Sequence, residues 1–421
     1  MNDVIHLLNP WWQNESFETG IIRNRYIDPL WKTLSRKQSV LIVGSRRVGK
    51  TTLLLQIIQR LLQHTPPDHI LYLLLDHPQL SQHTIMGLVD EFRGHFRLHR
   101  KEKIYLFLDE IQYIDNWEQE VKALADTENV KIFLSGSASS ELLTKKSFLT
   151  GRIETHMIYP LDFPEFLQFK KFKIAPTETY KYKAYCDEYL KTGGYPEYIL
   201  SQNPAYFSDL INDILYKDIL RMYSLKNPDV LKDLLLLLAD RVGHQTTFTK
   251  LGNILSVKND TIKEYIYYLK NTFLVDELPR YATSRAKRIY AAKKYYIADN
   301  GILFHLLAKL SYGAAFERTL YEFLRETNKS VLFYVENQKE VDFIVEHEKG
   351  KELWEAKYAL QGDIKDEVKK YIPIASMLES KTITIVTSDV LTSFTTQNIS
   401  VHVIPLWKLL LKQSSMNKLT I

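Results

Sequence analysis

The chain has 421 residues, of which 45% are hydrophobic, so it is long enough for two to four domains and supplies ample apolar material for their cores. Lys and Arg outnumber Asp and Glu by only 55 to 50, which permits an anionic partner without requiring one. The single cysteine, Cys186, excludes an internal disulfide and a zinc site built from cysteines, and it fits a reducing compartment. Neither a signal peptide nor a membrane span is visible, so we expect a cytoplasmic protein without a membrane partner.

The first strong signal is a strand that runs into a glycine-containing loop. The stretch SVLIVGSRRVGKTT places a β-branched run before Gly44 and an apolar pattern of helical period after Thr51. This is the spacing of a P-loop, in which backbone N–H groups surround phosphate oxygens, Lys50 reaches the terminal phosphates and Thr51 binds Mg²⁺. A glycine turn without function is the weaker alternative, because both flanking elements agree with the motif. The predicted nucleotide-binding residues are Gly44, Ser45, Arg46, Arg47, Val48, Gly49, Lys50, Thr51 and Thr52.

A second strand, which ends in two carboxylates, supports that prediction. The apolar run of KIYLFLDEIQ ends at Asp109 and Glu110, and ILYLLLD predicts another buried strand between the two motifs. We expect Asp109 to join Thr51 at the Mg²⁺ site and Glu110 to polarise the attacking water, because phosphoryl transfer needs charge neutralisation and an oriented nucleophile. A solvated strand end is the alternative interpretation.

Two further residues are candidates for the same catalytic site. Ser135 ends the strand VKIFLSG, where a hydroxyl can contact water or the γ-phosphate as a sensor, and a helix N-cap is an equally good interpretation. Arg152 follows Gly151 and is a candidate for stabilising transition-state charge, on its own nucleotide or on that of a neighbour. A lone arginine of this kind is more often a surface residue, so the sequence leaves its role open.

The motifs GSRRVGKTT, LFLDEIQ, FLSGSAS, TGRIE, YPLDFPEF and TGGYPEYI together resemble those of a family of prokaryotic ATPases of the AAA superfamily. In that family the ATPase core precedes a winged helix and a domain of PD-(D/E)XK nuclease fold, and the resemblance spans nearly the whole chain. It implies an α/β protein with an AAA-like P-loop NTPase core. The implied segments are the core with an N-terminal extension at 1–165, a helical lid or connector at 166–242, a winged helix at 243–300 and a restriction-endonuclease-like domain at 301–421.

The third segment has the pattern of a winged helix. The stretch TTFTKLGNILSVKNDTIKEYIYYLK predicts two short helices, the second starting at a capping box of Thr261 and Glu264, and FLVDELPRY predicts the first strand of a wing. The stretch PRYATSRAKRIYAAKKYY is basic and contains no acid, which favours sequence-tolerant contact with DNA. A solvated hairpin, or a surface packed against another domain, is nearly as good an interpretation. The candidate nucleic-acid residues are Arg280, Arg285, Lys287, Arg288, Lys293 and Lys294.

The last segment predicts the element order α-β-β-β-α-β, from the helix GAAFERTLYEFLRET to the strand TITIVT. Folding the hairpin about its EKGK turn brings Asp342 level with Glu355 and Lys357, and alternation of side chains places them on one face. We expect Asp342 and Glu355 to bind Mg²⁺, with Glu317 as a further ligand or as a partner of the ligands. Lys357 would activate water for phosphodiester hydrolysis. An accidental hairpin is less favoured, and the pattern leaves open whether such a site cuts DNA.

These patterns predict an enzyme that binds and hydrolyses ATP with Mg²⁺ as cofactor and couples its nucleotide state to the binding or processing of DNA. The alternative is a non-nucleolytic switch or scaffold whose ATP state controls assembly or partner binding. The sequence leaves open the preference for a DNA sequence, the presence of a homo-oligomer and the physiological pathway.

Overall fold

The computed structural model describes residues 3–416 except for 138–141, 143–148, 150, 224, 226, 310, 329, 337–338, 349 and 361. The chain divides into two units, of which the first comprises residues 1–159 and 271–273 and the second comprises 160–270 and 274–421. In the described part of the chain, every helix is too short or too polar to cross a membrane.

The first unit is built on a parallel sheet with helices packed against it. Its strands are β1 (Ser39–Gly44), β2 (Ile70–Leu74), β3 (Ile104–Asp109), β4 (Val130–Gly136) and β5 (Ile153–Ile158). Its helices are α1 (Asp3–Leu8), α2 (Asn24–Lys32), α3 (Lys50–Leu61), α4 (Ile85–Phe96) and α5 (Trp117–Thr127). The strand order is β2-β3-β4-β1-β5, with all neighbours parallel. The carboxyl ends of β1, β3 and β4 therefore lie at one edge of the sheet, where ligands of such sheets bind.

The second unit begins with helices, most of which lie in the segment 166–242 that the resemblance implies to be a helical lid or connector. They are α6 (Phe163–Phe169), α7 (Lys181–Thr192), α8 (Pro196–Ser201), α9 (Tyr206–Asn212), a π-helical continuation (Asp213–Ile219) and α10 (Pro228–Asp240).

A buried aspartate anchors the segment TGGYPEYI, which joins α7 to α8. The N–H of Gly194 donates to Asp299 Oδ2 at 2.7 Å, and the N–H of Gly301 donates to Asp299 Oδ1 at 2.7 Å. The carbonyl oxygen of Gly194 accepts from the N–H of Leu161 at 2.6 Å. Two segments separated by 105 residues are thus joined through one fully buried carboxylate.

Two helices followed by a two-stranded antiparallel sheet form the next part of the second unit. The elements are α11 (Phe248–Leu255), α12 (Asn259–Asn271), β6 (Val275–Pro279), α13 (Arg285–Tyr290) and β7 (Lys293–Ile297). The predicted capping box is wrong, because α12 starts two residues before Thr261, which places that side chain inside the helix. The basic stretch also forms a short helix, α13, between the two strands.

A six-stranded mixed sheet completes the second unit. Its elements are α14 (Asn300–Leu307), α15 (Tyr312–Thr327), β8 (Val331–Glu336), β9 (Lys339–His347), β10 (Gly350–Lys357), α16 (Ile364–Lys369), α17 (Ile372–Met377), β11 (Thr382–Thr387), β12 (Thr392–Thr396), β13 (Ile399–Pro405) and α18 (Leu406–Met416). The strand order is β12-β13-β11-β10-β9-β8. The predicted order from α15 to β11 is present, but one predicted helix is two, since Pro373 has no N–H to continue α16 and instead lies in the first turn of α17.

Candidate functional site

The loop between β1 and α3 is the centre of the candidate nucleotide site. A Cβ on Gly44 would lie 2.3 Å from the carbonyl oxygen of Ile158, and Gly49 has a φ of +96°, so both positions favour glycine. Helix α3 starts at Lys50, which turns the N–H groups of its first turn toward the loop. The Lys50 ammonium donates to the carbonyl oxygens of Gly44 and Ser45, each at 3.0 Å, and these bonds hold it over the loop.

A threonine hydroxyl and a buried carboxylate meet beside this loop. Thr51 Oγ1 donates to Asp109 Oδ2 at 2.6 Å, Tyr72 Oη donates to the same oxygen at 2.8 Å, and Ser135 Oγ donates to Oδ1. Burial and the neighbouring Glu110 carboxylate raise the pKa of Asp109, while the three hydroxyls act against that rise. Hydroxyl and carboxylate oxygens are the ligands that Mg²⁺ prefers, and a buried anion needs a cation. The residues therefore fit Mg²⁺.

The Glu110 carboxylate is held in a fixed direction at the end of β3. Gln112 Nε2 donates to Glu110 Oε2 at 2.5 Å, and Ser137 Oγ donates to the same oxygen at 3.5 Å. Glu110 has a φ of +56°, a conformation that is strained by about 1–3 kcal/mol in a residue other than glycine. The backbone conformation and two side chains thus fix the position of this carboxylate.

Three residues that support the site were missed by the sequence motifs. Tyr72 lies within an apolar strand where nothing marks its hydroxyl as a partner of a carboxylate. Gln112 stands within the DEIQ motif, which was the only signal for it. Arg23 is buried and donates to the carbonyl oxygens of Val48 at 2.9 Å and Tyr159 at 3.0 Å, so it supports the loop from the N-terminal extension.

The two remaining candidates for the ATPase site, Ser135 and Arg152, lie at opposite ends of the sheet. Ser135 lies near the end of β4, opposite Ile42 of β1, and contacts Asp109. Arg152 lies at the start of β5, where its carbonyl oxygen accepts from the N–H of Ser39, and its guanidinium pairs with Asp126 at 3.2 Å. The length of β1, roughly 17 Å at about 3.3 Å per residue, separates that edge from the P-loop. This position of Arg152 argues against action on the nucleotide of its own chain.

The hairpin of β9 and β10 brings the predicted C-terminal residues together. The N–H of Asp342 donates to Glu355 Oε2 at 3.1 Å, and the N–H of Ala356 donates to Asp342 Oδ2 at 3.0 Å. Lys357 Nζ lies 2.8 Å from Glu355 Oε1. Burial, Glu355 and Glu317 raise the pKa of Asp342, and burial raises the pKa of Glu355 against the effect of Lys357.

A buried lysine lies among the acids of this region, and we call Glu317, Glu340, Asp342 and Glu355 the carboxylate cluster. The side chain of Lys294 is 1% exposed, and its Nζ lies 2.7 Å from Glu340 Oε1, 3.3 Å from Glu317 Oε1 and 3.7 Å from Asp342 Oδ1. Burial lowers the pKa of Lys294, but the three carboxylates outweigh burial and raise it. Lys294 is therefore a charged internal partner, and its predicted role as a contact for nucleic acid is wrong because the ammonium is buried.

The predicted Mg²⁺ site at Asp342, Glu355 and Glu317 does not fit a divalent ion in this arrangement. The carboxylate oxygens accept from backbone N–H groups and lie against two lysine ammonium groups, which already supply positive charge. Among the described residues, no group of three or more His, Cys, Asp or Glu side chains is arranged to hold a metal. Asp342 and Glu355 lie next to each other, and the Lys294 ammonium lies 3.3 Å from Glu317 and 3.7 Å from Asp342, which are two of the three predicted ligands.

Most of the other basic residues predicted to contact DNA are bonded within the protein. Arg280 donates to the carbonyl oxygen of Val335, and Arg288 lies 3.4 Å from a carboxylate oxygen of Glu346. Lys293 donates to a backbone carbonyl oxygen at 2.9 Å. Only the pair of Arg288 with Glu346 offsets a positive charge of the stretch, whereas the bonds of Arg280 and Lys293 to neutral carbonyl groups fix the positions of their side chains.

The last two of the six basic residues, Arg285 and Lys287, belong to α13. Lys287 is exposed and forms no ion pair with the residues that the structure describes. The backbone of Arg285 starts α13, but its side chain lies outside the described part of the chain.

Comparison with known proteins gives two family matches. A model described as an AAA domain matches residues 36–167, and one described as a domain of unknown function, DUF8612, matches residues 183–312. An uncharacterized protein of Haemophilus influenzae is 30% identical over 343 residues, which are 77% of this chain and 83% of that protein. The uncharacterized protein MJ1544 of Methanocaldococcus jannaschii is 30% identical over 383 residues, 84% of each chain.

One solved structure has a weaker similarity to this chain. The AMPPCP-bound DnaA from Aquifex aeolicus is 16% identical, and the alignment covers 61% of this chain and 90% of that one. Its TM-score of 0.30 is too low for the likeness to bear on function.

The parallel sheet, the P-loop and the AAA-domain match define the first unit as an AAA-type P-loop ATPase domain that binds ATP. The chain as a whole belongs to the family of the Haemophilus and Methanocaldococcus proteins, since it is 30% identical to each over more than four-fifths of their length.

Proposed function

We propose that this protein is a Mg²⁺-dependent ATPase that couples its nucleotide state to DNA binding. The observation that carries the ATPase part is the contact of Thr51 with the buried Asp109, at 2.6 Å and next to the P-loop. Mg²⁺ at these two residues would neutralise charge on the phosphates. Lys50 would bind the terminal phosphates, and Glu110, held by Gln112, would orient the attacking water.

Substitution of Lys50 and Glu110 tests the ATPase part. Lys50→Ala removes the ammonium that contacts phosphate, so ATP binding and turnover should both be lost. Glu110→Gln should retain binding and lower turnover by about 10²–10⁴-fold, the contribution of a positioned base. The exposed Asp115, which is five residues from Glu110, provides the control Asp115→Asn, for which no change is expected. ATP turnover that is unchanged in Lys50→Ala would refute the ATPase part of the proposal.

The DNA-binding part rests on the architecture of residues 243–300. Two helices followed by a two-stranded antiparallel sheet are the elements of a winged helix, a common DNA-binding module. Binding of fluorescent DNA should be measured without nucleotide, with ADP, and with ATP in Glu110→Gln, which holds the ATP-bound state. We expect affinities that differ by at least about fivefold between states, the lower range of allosteric coupling. Equal affinities in all three states would refute the coupling.

The second candidate function is cleavage of DNA by the second unit. The observation that favours it is the convergence of Asp342, Glu355 and Lys357 on the hairpin. The position of Lys294 argues against it and favours the non-nucleolytic switch, because an internal ammonium supplies the charge that a metal would bring. Incubation of labelled DNA with Mg²⁺ or Mn²⁺, with and without ATP, tests this candidate. Cleavage by the wild-type protein that is lost in Glu355→Ala would establish it, and cleavage that survives Glu355→Ala would assign it to a contaminant.

A further inference from the structure

The first unit has a groove at the amino ends of its parallel strands, at the opposite end of the sheet from the P-loop. The groove encloses about 760 Å³ and is lined by residues that precede three of the parallel strands. Arg36 and Lys37 precede β1, Lys101 and Lys103 precede β3, and residues 125–131 surround the start of β4. We call this surface the basic groove. Since the strands are parallel, loops before them cannot belong to the nucleotide site, which follows their carboxyl ends.

The acids in and around the basic groove are largely neutralised by arginines. The pairs are Arg36 with Glu154 at 2.7 Å, Arg93 with Glu128 at 2.7 Å, Arg100 with Asp90 at 3.2 Å and Arg152 with Asp126 at 3.2 Å. Glu102, which lies between two of the lysines in sequence, accepts from the N–H of His99 at 2.6 Å and lies 3.9 Å from His69 Nε2. Among the described residues, four lysines of the groove have no carboxylate within 4.0 Å: Lys37, Lys101, Lys103 and Lys131. The groove therefore carries an excess of positive charge, and the residues that carry it are lysines.

One of these lysines is buried in the wall of the groove. Lys131 is 2% exposed, and its Nζ donates to the carbonyl oxygens of Arg36 at 3.2 Å and Gln38 at 2.5 Å. Burial lowers the pKa of Lys131 to about 8, although Glu154 acts against that effect from a greater distance. Neutral carbonyl groups do not cancel the charge of an ammonium, so an anion in the groove would improve the environment of Lys131.

The distribution of the lysines indicates which kind of anion fits. They lie on the loops before β1 and β3 and at the start of β4, whereas a site for a single phosphate gathers its donors around one point. A phosphodiester backbone presents charges at regular intervals, and lysines contact it as point charges without reading sequence. We propose that the basic groove binds the phosphodiester backbone of a nucleic acid. This inference rests on the proposed DNA binding and assigns its main phosphate contacts to the first unit.

The test is nucleic-acid binding by the full chain at different salt concentrations. Anisotropy of a fluorescent 20-residue oligonucleotide, as DNA and as RNA, would be followed between about 50 and 200 mM NaCl, where phosphate contacts dominate the salt dependence. The double variant Lys101→Ala/Lys103→Ala removes two exposed lysines of the groove. Loss of two phosphate contacts should lower the slope of log K against log salt by about 1.4–1.8 and weaken binding at least tenfold at 50 mM NaCl.

A matched control separates the groove from general charge. Lys32→Ala/Lys122→Ala removes two exposed lysines of the same unit that do not line the groove, and its salt slope should equal that of the wild type. ATP turnover without nucleic acid should be unchanged in both double variants. Lys131→Met is a further variant, and the exposed pair keeps the test decisive if that variant does not fold.

Three results would overturn the inference. One such result is unchanged affinity and salt slope in Lys101→Ala/Lys103→Ala together with loss of binding in Lys287→Ala. The protein would then bind DNA through α13 and not through the basic groove. Competition by polyglutamate as strong as that by an oligonucleotide of equal charge would indicate an acidic protein partner instead. Absence of binding in the wild-type chain would remove both this inference and the DNA part of the proposed function.

Discussion

Replacement of Lys294 tests whether a lysine, rather than a metal, balances the carboxylate cluster. Lys294→Met keeps the length and apolar stem of the side chain and removes its charge. Breaking a buried ion pair from one side costs about 3–5 kcal/mol, because the partner charge stays buried. The side chains of Glu317 and Asp342 are 18% and 14% exposed, whereas that of Glu340 is 49% exposed and can regain water. We therefore expect a loss of about 3 kcal/mol, the lower end of that range.

The assay must resolve the second unit from the first, because a chain of two units need not unfold in one transition. Hydrogen exchange of peptides from β9 and β10 reports the free energy of opening for this region alone. Glu317→Gln removes a charge on the opposite side of the pair. The double variant Lys294→Met/Glu317→Gln should therefore lose less stability than the two single variants together. The difference should be at least about 1 kcal/mol, as for other residues in contact.

Metal titration adds a second measurement to the same variants. Mn²⁺ should protect Lys294→Met against exchange, since an added cation replaces the lost ammonium, and should leave the wild type unchanged. The control is Lys339→Met, an exposed lysine of β9, for which a change below about 0.5 kcal/mol is expected. A similarly small change in Lys294→Met, or Mn²⁺ protection of the wild type that disappears in Glu355→Gln, would refute the reasoning and restore the predicted metal site.

Three further predictions concern other parts of the chain. A Cβ on Gly194 would lie 2.4 Å from a backbone carbonyl oxygen, so Gly194→Ala should destabilise the second unit by about 1–3 kcal/mol in hydrogen exchange, whereas Gly313→Ala, where a Cβ meets nothing within 4 Å, should not. Burial raises the pKa of Glu322 to about 7, so between about pH 5 and 7 this group binds more protons in the folded state than in the unfolded state. The free energy of unfolding should therefore fall with rising pH in this window, by at most about 1.4 kcal/mol per pH unit from this group, and Glu322→Gln should flatten that fall in denaturant titrations. Arg152→Ala should leave ATP turnover unchanged at protein concentrations where single chains prevail, and a loss there would contradict its position at the opposite sheet edge.

The parts of the fold that follow from short stretches of sequence were predictable. The P-loop is one such part, because Gly44, Gly49, Lys50 and Thr51 are fixed by local backbone geometry and by the chemistry of phosphate. The pairing of Asp342 with Glu355 was also predictable, since a tight turn sets the register of a hairpin. The element order of the last segment followed from the apolar patterns of its helices and strands.

The partners that come from distant segments were not predictable in this way. Nothing near Lys294 in the sequence marks it as buried, because its three carboxylates lie 23 to 48 positions away. Tyr72 likewise reaches Asp109 only through the pairing of β2 with β3. A run of basic residues looks the same in sequence whether its charges face water or acids. Long-range pairing therefore decided which of the predicted charges remain available to a ligand.

The bond between Gly194 and Asp299 has a consequence for how the protein is made. A ribosome releases the chain from its N-terminus, and the segment TGGYPEYI emerges 105 residues before the carboxylate that anchors it. Contacts of such separation form late, because a long loop must close before they stabilise anything. The match to DUF8612 at residues 183–312 includes both partners, so this stretch contains its own anchor. We expect nascent chains that end before Asp299 to leave α7 and α8 sensitive to protease, and chains that extend past α14 to protect them.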